Sequence, residues 1–331
     1  MNGSCAAERE DVLKEFYITE NQEEERIDRY LAEMLPDCSR SYIQKLIKEK
    51  LVCVNKLPVK ASYRLLPGDL VTVTVPESKE PDIEPENIPL DILYEDSDII
   101  IVNKPKQMVV HPAPGHYSGT LVNALMYHCR DELSGINGMM RPGIVHRIDM
   151  DTTGSLVVCK NDIAHQSIAE QLKVHSIRRV YVAIVHGSVR DDKGTVDAPI
   201  GRHPVDRKKM SVHAKNGKRA VTHYRVLQRF QDGSPSAPSG ACITGCPNGG
   251  YTYLECELET GRTHQIRVHM ASIGHPLLGD LVYGPHRCPI PGLQGQTLHA
   301  KTLGLIHPRT GEYLEVEAPL PEYFTDLLAG L

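Results

Sequence analysis

The sequence predicts two α+β units: a small one near the N-terminus and a large one built mainly on an antiparallel sheet. Three observations lead there. The 331 residues exceed one average domain and suit about two. An acidic, proline-bearing stretch, ESKEPDIEPENIPL at 77–90, separates a short patterned region from the rest. Beyond it, strand-like runs outnumber helical ones and do not alternate with them, which disfavours βαβ winding.

The elements follow in chain order. Residues 1–23 read as an acidic tail. In 24–76, ERIDRYLAEML places Ile27, Tyr30, Leu31 and Leu35 at helical spacing, and Pro36 breaks the run. Ser39 can cap a second helix, SRSYIQKLIKEK, with Ile43, Leu46 and Ile47 inward. LVCVNKLPV alternates around an Asn-Lys turn, and LLPGDLVTVTV turns at Pro67-Gly68 into a closing strand. Residues 77–90 read as a linker. In 91–331 the strand-like runs are DIIIVNK, SLVVCK, VYVAIVHG, YTYLECELE and EYLEVEAP. The helical runs are GTLVNALMYHC, IAHQSIAEQLK and PEYFTDLLAG. QDGSPSAPSGACITGCPNGG, at 231–250, reads as an inserted surface loop. With no Trp and three Phe, the core must be filled by Val, Ile, Leu and Tyr.

Several function classes lose their footing. There is no GxGxxG and no GxxxxGK[ST], so nucleotide-cofactor folds are not indicated. Despite 16 His, neither HExxH nor HxE…CxxC occurs, which argues against zincins and zinc deaminases. Cys242 and Cys246 form a CxxxC with no second pair, and nine scattered cysteines suggest free thiols. No metal and no cofactor is expected. No apolar run approaches the ~20 residues of a membrane span, and the acidic N-terminus lacks a signal-like apolar core. The expected location is the cytoplasm.

A net charge of −5 taken alone speaks against nucleic acid. The placement of charge says otherwise. Arg40, Lys45, Lys48, Lys50, Lys56, Lys60 and Arg64 face only Asp37 and Glu49 across residues 37–64. A second cluster, Arg202 to Arg219, faces only Asp206. Two segregated basic patches are compatible with phosphate binding, although each alone also suits a solvated face.

The densest polar segment is RPGIVHRIDMDTTGSLVVCKND, residues 141–162. His146, Arg147, Asp149 and Asp151 lie within six residues, ahead of an apolar strand. Such crowding marks a strand end or turn. A carboxylate there can act as nucleophile or base if a cation holds it ionised. The same spacing also suits a hydrogen-bonded turn, and the residues alone leave both open.

HRIDMDTTG resembles the HR(L/I)DxxT(S/T)G motif of the RluA-type pseudouridine synthases. The resemblance implies that Asp149 is the catalytic residue, that Asp151 is a variable position, and that Arg147 helps splay the RNA. YEDSDIIIVNKPKQMVVHPAPGHYSGTLVNALMYH, RRVYVAIVHG, ETGRTHQIRVHMASIGHPLLGDLVYG and QTLHAKTLGLIHPRTGEYLEVEAPLPEYF match further family segments in order, covering nearly all of 90–331. They imply that Tyr181 lies in the active site and that Arg267 ion-pairs with the catalytic carboxylate. Without the resemblance, Tyr181 reads as a core tyrosine and Arg267 as a strand-surface arginine.

Residues 24–76, through RIDRYL and SRSYIQKLIKEKLVCVN, resemble the S4 RNA-binding module. The segment GTVDAPIGRHPVDRKKMSVH is most similar to the RluD-type enzymes, which modify large-subunit ribosomal RNA. The implied partner is therefore RNA, contacted by His146, Arg147, Arg262 and His264, with Arg40, Lys45 and Lys48 on the second helix; a monomer is expected by default. Departures are Ile148, Met150 and the 231–250 insertion. Three alternatives remain open: a synthase acting on tRNA, a nucleoside or glycoside hydrolase using Asp149, and a non-catalytic RNA-binding or ribosome-assembly protein.

Overall fold

The computed structural model describes residues 12–36, 38–76, 83–113, 115–130, 132–138, 141–206, 208–230 and 249–331. The chain divides between residues 80 and 81 into two compact units. Most of the 231–250 insertion, with Cys242 and Cys246, lies outside the described residues. Among those described, no helix is long and apolar enough to cross a membrane.

The N-terminal unit runs β1 (Val12–Tyr17), α1 (Ile27–Met34), α2 (Arg40–Lys48), β2 (Val52–Val54), β3 (Leu57–Pro58) and β4 (Leu70–Val75). Its strands pair in the order β1-β4-β2-β3, all antiparallel. Ser39 caps α2 by accepting the Tyr42 amide at 3.3 Å. Asn55 and Lys56 both take positive φ, 51° and 69°, as a two-residue hairpin of this hand requires. The core is Ile27, Leu31, Ile43, Leu46, Val52, Val71 and Val73.

One boundary is corrected. The expected tail through residue 23 contains β1, which extends the sheet along β4. As an exposed edge strand β1 needs no apolar alternation, so its charge concealed it.

A buried carboxylate fastens the two helices. Asp28 has no side-chain exposure and accepts Arg26 Nε at 3.0 Å, Arg40 Nη2 at 2.9 Å and Gln44 Nε2 at 2.7 Å. Burial raises its pKa, but the bonds from Arg26, Gln44 and Arg40 outweigh that and hold it at about 2. A depressed carboxylate lends stability above about pH 4, lost as pH falls through the folded value. Arg40→Ala is expected to cost this unit about 2 kcal/mol and to start its acid unfolding at higher pH. Lys48→Ala, on the exposed face, should leave melting unchanged; circular dichroism across a pH series distinguishes the two.

The second unit comprises β5 (Ile92–Glu95), β6 (Ile99–Lys104), α3 (Leu121–Cys129), β7 (Thr153–Cys159), α4 (Asp162–Lys173), β8 (Arg178–His186), β9 (Lys193–Asp197), β10 (Gly201–Arg202), β11 (Met210–Ser211), β12 (Val221–Phe230), β13 (Tyr251–Leu258), α5 (Gln265–Ser272), β14 (Leu298–Ile306), β15 (Tyr313–Glu317) and α6 (Glu322–Gly330). Nine strands form one sheet, β5-β6-β7-β14-β8-β13-β12-β9, with β15 also on β14. Among the described residues only the β7–β14 pairing is parallel, and β10 with β11 makes a separate small hairpin.

Both faces of the sheet are buried at its centre, which explains the unbroken apolar runs. Ile100, Val102, Leu156, Val158, Ala183 and Val185 pack with α3 and α5 on one side. Ile99, Ile101 and Val157 meet α4 on the other, and Val182 and Ile184 meet Phe324 of α6.

The linker is also shortened. Ile83 joins the main core, Ile88 and Leu90 pack against it, and Asn123 Nδ2 donates to the Glu84 carbonyl at 2.8 Å. Backbone amides and isolated apolar residues can dock a segment that carries no periodicity, so composition alone overstated the linker.

Candidate active site

The polar turn found in the sequence ends where β7 begins. Thr152 N donates to the Asp149 carbonyl at 3.0 Å, closing it. Gly154 then takes φ +106°, and a Cβ there would sit 2.2 Å from the Ala300 carbonyl oxygen. That close approach lets β14 pair in parallel at Thr153 and Gly154, locking the turn to the sheet.

A second anchor comes from Lys104 at the end of β6. It is 1% exposed and donates to the carbonyls of Pro105, Met108 and Met150 at 2.7, 2.9 and 2.9 Å. Burial pushes its ammonium down to about 7, while Asp151 and Asp149 pull the other way. Lys104→Met should strand three carbonyls and cost about 3 kcal/mol in thermal unfolding.

Asp149 is half-buried, its side chain 22% exposed. Its Oδ2 accepts Arg267 Nη1 at 2.9 Å. The other edge of the same guanidinium grips Asp280 twice, Nε to Oδ2 at 2.6 Å and Nη2 to Oδ1 at 3.0 Å. Asp280 Oδ1 also accepts the amides of Val282 and Tyr283, so its place is set by backbone. The Arg267 guanidinium carbon lies 5.1 Å from the Tyr283 ring centroid. Burial opposes the charge on Arg267, but the two carboxylates more than offset it and raise its pKa.

Arg267 sits on α5 and is 6% exposed, which overturns the strand-surface alternative. Its helix has no clean amphipathic stripe, because Gln265, Arg267 and His269 are all buried beside Ile266, Val268 and Met270. Periodicity therefore could not announce it.

His264 precedes α5 in the left-handed region, φ 57°. Its Nδ1 lies 2.8 Å from the Tyr283 hydroxyl, which accepts the Met210 amide at 2.8 Å. The hydroxyl proton is thus free for Nδ1, leaving the Nε2 proton facing Asp149 Oδ1 at 3.7 Å. Burial lowers the pKa of this imidazole and Asp149 works against the shift.

Tyr181, on β8, is 8% exposed and lines the same cleft. Burial, with Asp149 adding to it, raises its phenol pKa. His146 is otherwise engaged: Nε2 accepts the Val157 amide at 3.1 Å. Burial and then Arg179 push it to about 4, so it offers a neutral ring and not a cation. Arg147 is exposed on the turn and, among the described residues, unpaired. Arg262 donates Nε to the Arg219 carbonyl at 3.0 Å. Arg40, Lys45 and Lys48 lie on α2 of the other unit. Arg40 is committed to Asp28, Lys45 approaches Glu49 at 3.8 Å, and Lys48 is exposed.

The cleft has a volume of about 560 Å³. Arg147, Lys173, Arg179, Arg262 and Arg267 line it, and Asp149 is the one carboxylate among its lining residues. An acidic chain thus presents a cationic cavity, because its acidic groups sit elsewhere. Asp280, Tyr283, Lys104 and Arg179 were not singled out from the sequence. No sequence signal pointed to Asp280: the need for a second acceptor arises only once the five-donor Arg267 guanidinium is found buried.

A lone carboxylate clamped by arginine lies beside a buried tyrosine in a cleft lined by cations. Comparison with known proteins names the class: the chain belongs to the RNA pseudouridylate synthase family, whose model matches residues 98–272. Residues 25–71 match the S4 domain. It is 54% identical over 313 residues to an uncharacterized RNA pseudouridine synthase of Bacillus subtilis, covering 95% of this chain and 96% of that one. It is 45% identical over 314 residues to ribosomal large subunit pseudouridine synthase D of Zymomonas mobilis, covering 92% and 93%. Human RNA pseudouridylate synthase domain containing 1 superposes with a TM-score of 0.55 at 26% identity, covering 71% of this chain and 85% of that one. The protein is an RNA pseudouridine synthase, an isomerase with an N-terminal S4 domain.

Proposed function

We propose that this enzyme isomerises uridines of large-subunit ribosomal RNA, with Asp149 as the reacting carboxylate on a flipped-out nucleotide. One observation carries the catalytic assignment: among the described residues Asp149 is the sole carboxylate lining a cleft that five arginine and lysine side chains and Tyr181 also line. Its Oδ2 is held by Arg267, while Oδ1 has no hydrogen bond among the described residues and faces the cavity. The substrate assignment rests on relatives named ribosomal large subunit pseudouridine synthase D at 43–45% identity over more than nine-tenths of this chain.

The chemistry suits the cleft. Pseudouridylation breaks the N1–C1′ bond, turns the uracil and rejoins it through C5, with no change of oxidation level. The target base must leave the stack, at a cost of a few kcal/mol. Tyr181 supplies a flat apolar face for the extruded uracil, and Arg267 holds the Asp149 carboxylate in place. Excluding bulk water protects the open intermediate. Exposed Arg147 is suited to fill the space the base leaves. A hydrolase would need a second carboxylate to direct water, and among the described residues none besides Asp149 lines the cleft. The working picture is a cytoplasmic monomer needing only RNA.

The test uses transcripts labelled with tritium at uridine C5. Release from large-subunit rRNA without free uracil is expected, and release from tRNA alone would overturn the substrate assignment. Lys45→Glu with Lys48→Glu should weaken rRNA binding and flatten its salt dependence; an unchanged salt slope would remove α2 from the interface.

A further inference from the structure

One buried charge has no role in the scheme above. Arg179 stands on β8 two residues before Tyr181, so both side chains leave the same face of the strand and line the same cleft. It is 7% exposed. Among the described residues its guanidinium makes one hydrogen bond, from Nη2 to the Glu259 carbonyl oxygen at 3.3 Å. Its Nε is buried without an acceptor. The Glu259 carboxylate is occupied elsewhere, by Arg219 at 2.9 Å and His223 at 2.8 Å. No described carboxylate pairs with Arg179.

The surroundings keep this place open and positive. A Cβ on Gly261 would sit 2.5 Å from Arg179 Nη1, so the glycine lets the loop lie against the guanidinium where it stands. Arg262 and His175 line the cleft beside it. Burial, and after it Arg179, Arg262 and Arg219, oppose the protonation of His175, while Glu259 works the other way. Buried arginines are ordinarily paired, since an unpaired one carries the full desolvation penalty. An anion from outside the chain would supply the missing acceptors.

We infer that Arg179, with His175 and Arg262 at its mouth, seats a phosphate of the bound nucleotide, one sugar away from the base held against Tyr181. The inference rests on the proposed RNA substrate. Its purpose follows from the reaction: while the glycosidic bond is open, the sugar must stay fixed so that the turned uracil meets the same C1′. A planar guanidinium can hold one phosphate through paired donors. The spacing agrees, because side chains two apart on a strand are about 7 Å apart, roughly a base and its own phosphate.

The experiment titrates the full-length protein with uridine 5′-monophosphate, uridine and inorganic phosphate, followed by calorimetry or NMR. Wild type is expected to bind the monophosphate about tenfold more tightly than uridine. Arg179→Gln should abolish that preference and leave uridine affinity unchanged. Arg179→Lys should keep the fold and reduce the preference, which decides the matter if the Gln variant does not fold. A wild type that binds both alike overturns the inference whatever the variants do, as does an undiminished preference in either variant. Failure of tritium release from rRNA with the preference intact would instead sink the proposed function alone.

Discussion

Asp149→Asn is expected to bind rRNA as tightly as wild type and to release tritium from uridine C5 about ten-thousand-fold more slowly, or not at all. The amide is nearly isosteric and can still meet Arg267 through its oxygen, so the 2.9 Å contact and the turn both survive. What disappears is the negative oxygen that can bond to carbon or take a proton. The cleft holds no second carboxylate to take over, because Asp280 lies behind Arg267 and is saturated by it and by two backbone amides. Substantial release by the variant in a single-turnover assay would end the assignment of Asp149. Asp151→Asn serves as the control and should retain most activity.

Arg267→Met should produce the largest combined loss of stability and rate. The substitution leaves Asp280, with no side-chain exposure, as an uncompensated buried charge. Breaking such a pair typically costs about 3–5 kcal/mol. Turnover should fall about 100-fold or more, because the group that places and balances Asp149 is gone. Adding Asp280→Asn separates the two effects. The double variant should regain part of the lost stability in denaturant titrations, since no buried charge remains, yet stay as slow as the single one. Recovery of rate along with stability would mean that Arg267 acts only through folding. Arg267→Lys should resemble Met in rate, because one ammonium cannot span two carboxylates on opposite edges of a fork.

Much of this molecule was legible before folding, and the illegible parts have physical reasons. Strands such as Ile99–Lys104 and Thr153–Cys159 were readable because burial on both faces makes them continuous apolar runs. α2 was readable from its cap and its Ile43, Leu46, Ile47 stripe. β1 was missed because an edge strand faces water, and the packed half of the linker because its docking relies on backbone bonds. α5 was missed because polar side chains occupy its buried face. His146 and Arg40 looked like RNA ligands in the sequence; the fold adds that His146 Nε2 accepts the Val157 amide and that Arg40 also bonds Asp28.

The sequence by itself determined that a candidate carboxylate lies in a polar turn at the head of a buried strand, and the resemblance of that turn to a family motif singled out Asp149. That information is local, carried by residues 146–154 and the apolar run behind them. Only the tertiary structure decided what surrounds it. Arg267 lies 118 positions away in the chain and approaches Asp149 because α5 packs on one face of the sheet. Asp280, Tyr283 and the unpaired Arg179 acquire meaning only as neighbours in space. A sequence records which groups a chain carries, but their protonation, pairing and exposure depend on distances that only the packed sheet sets.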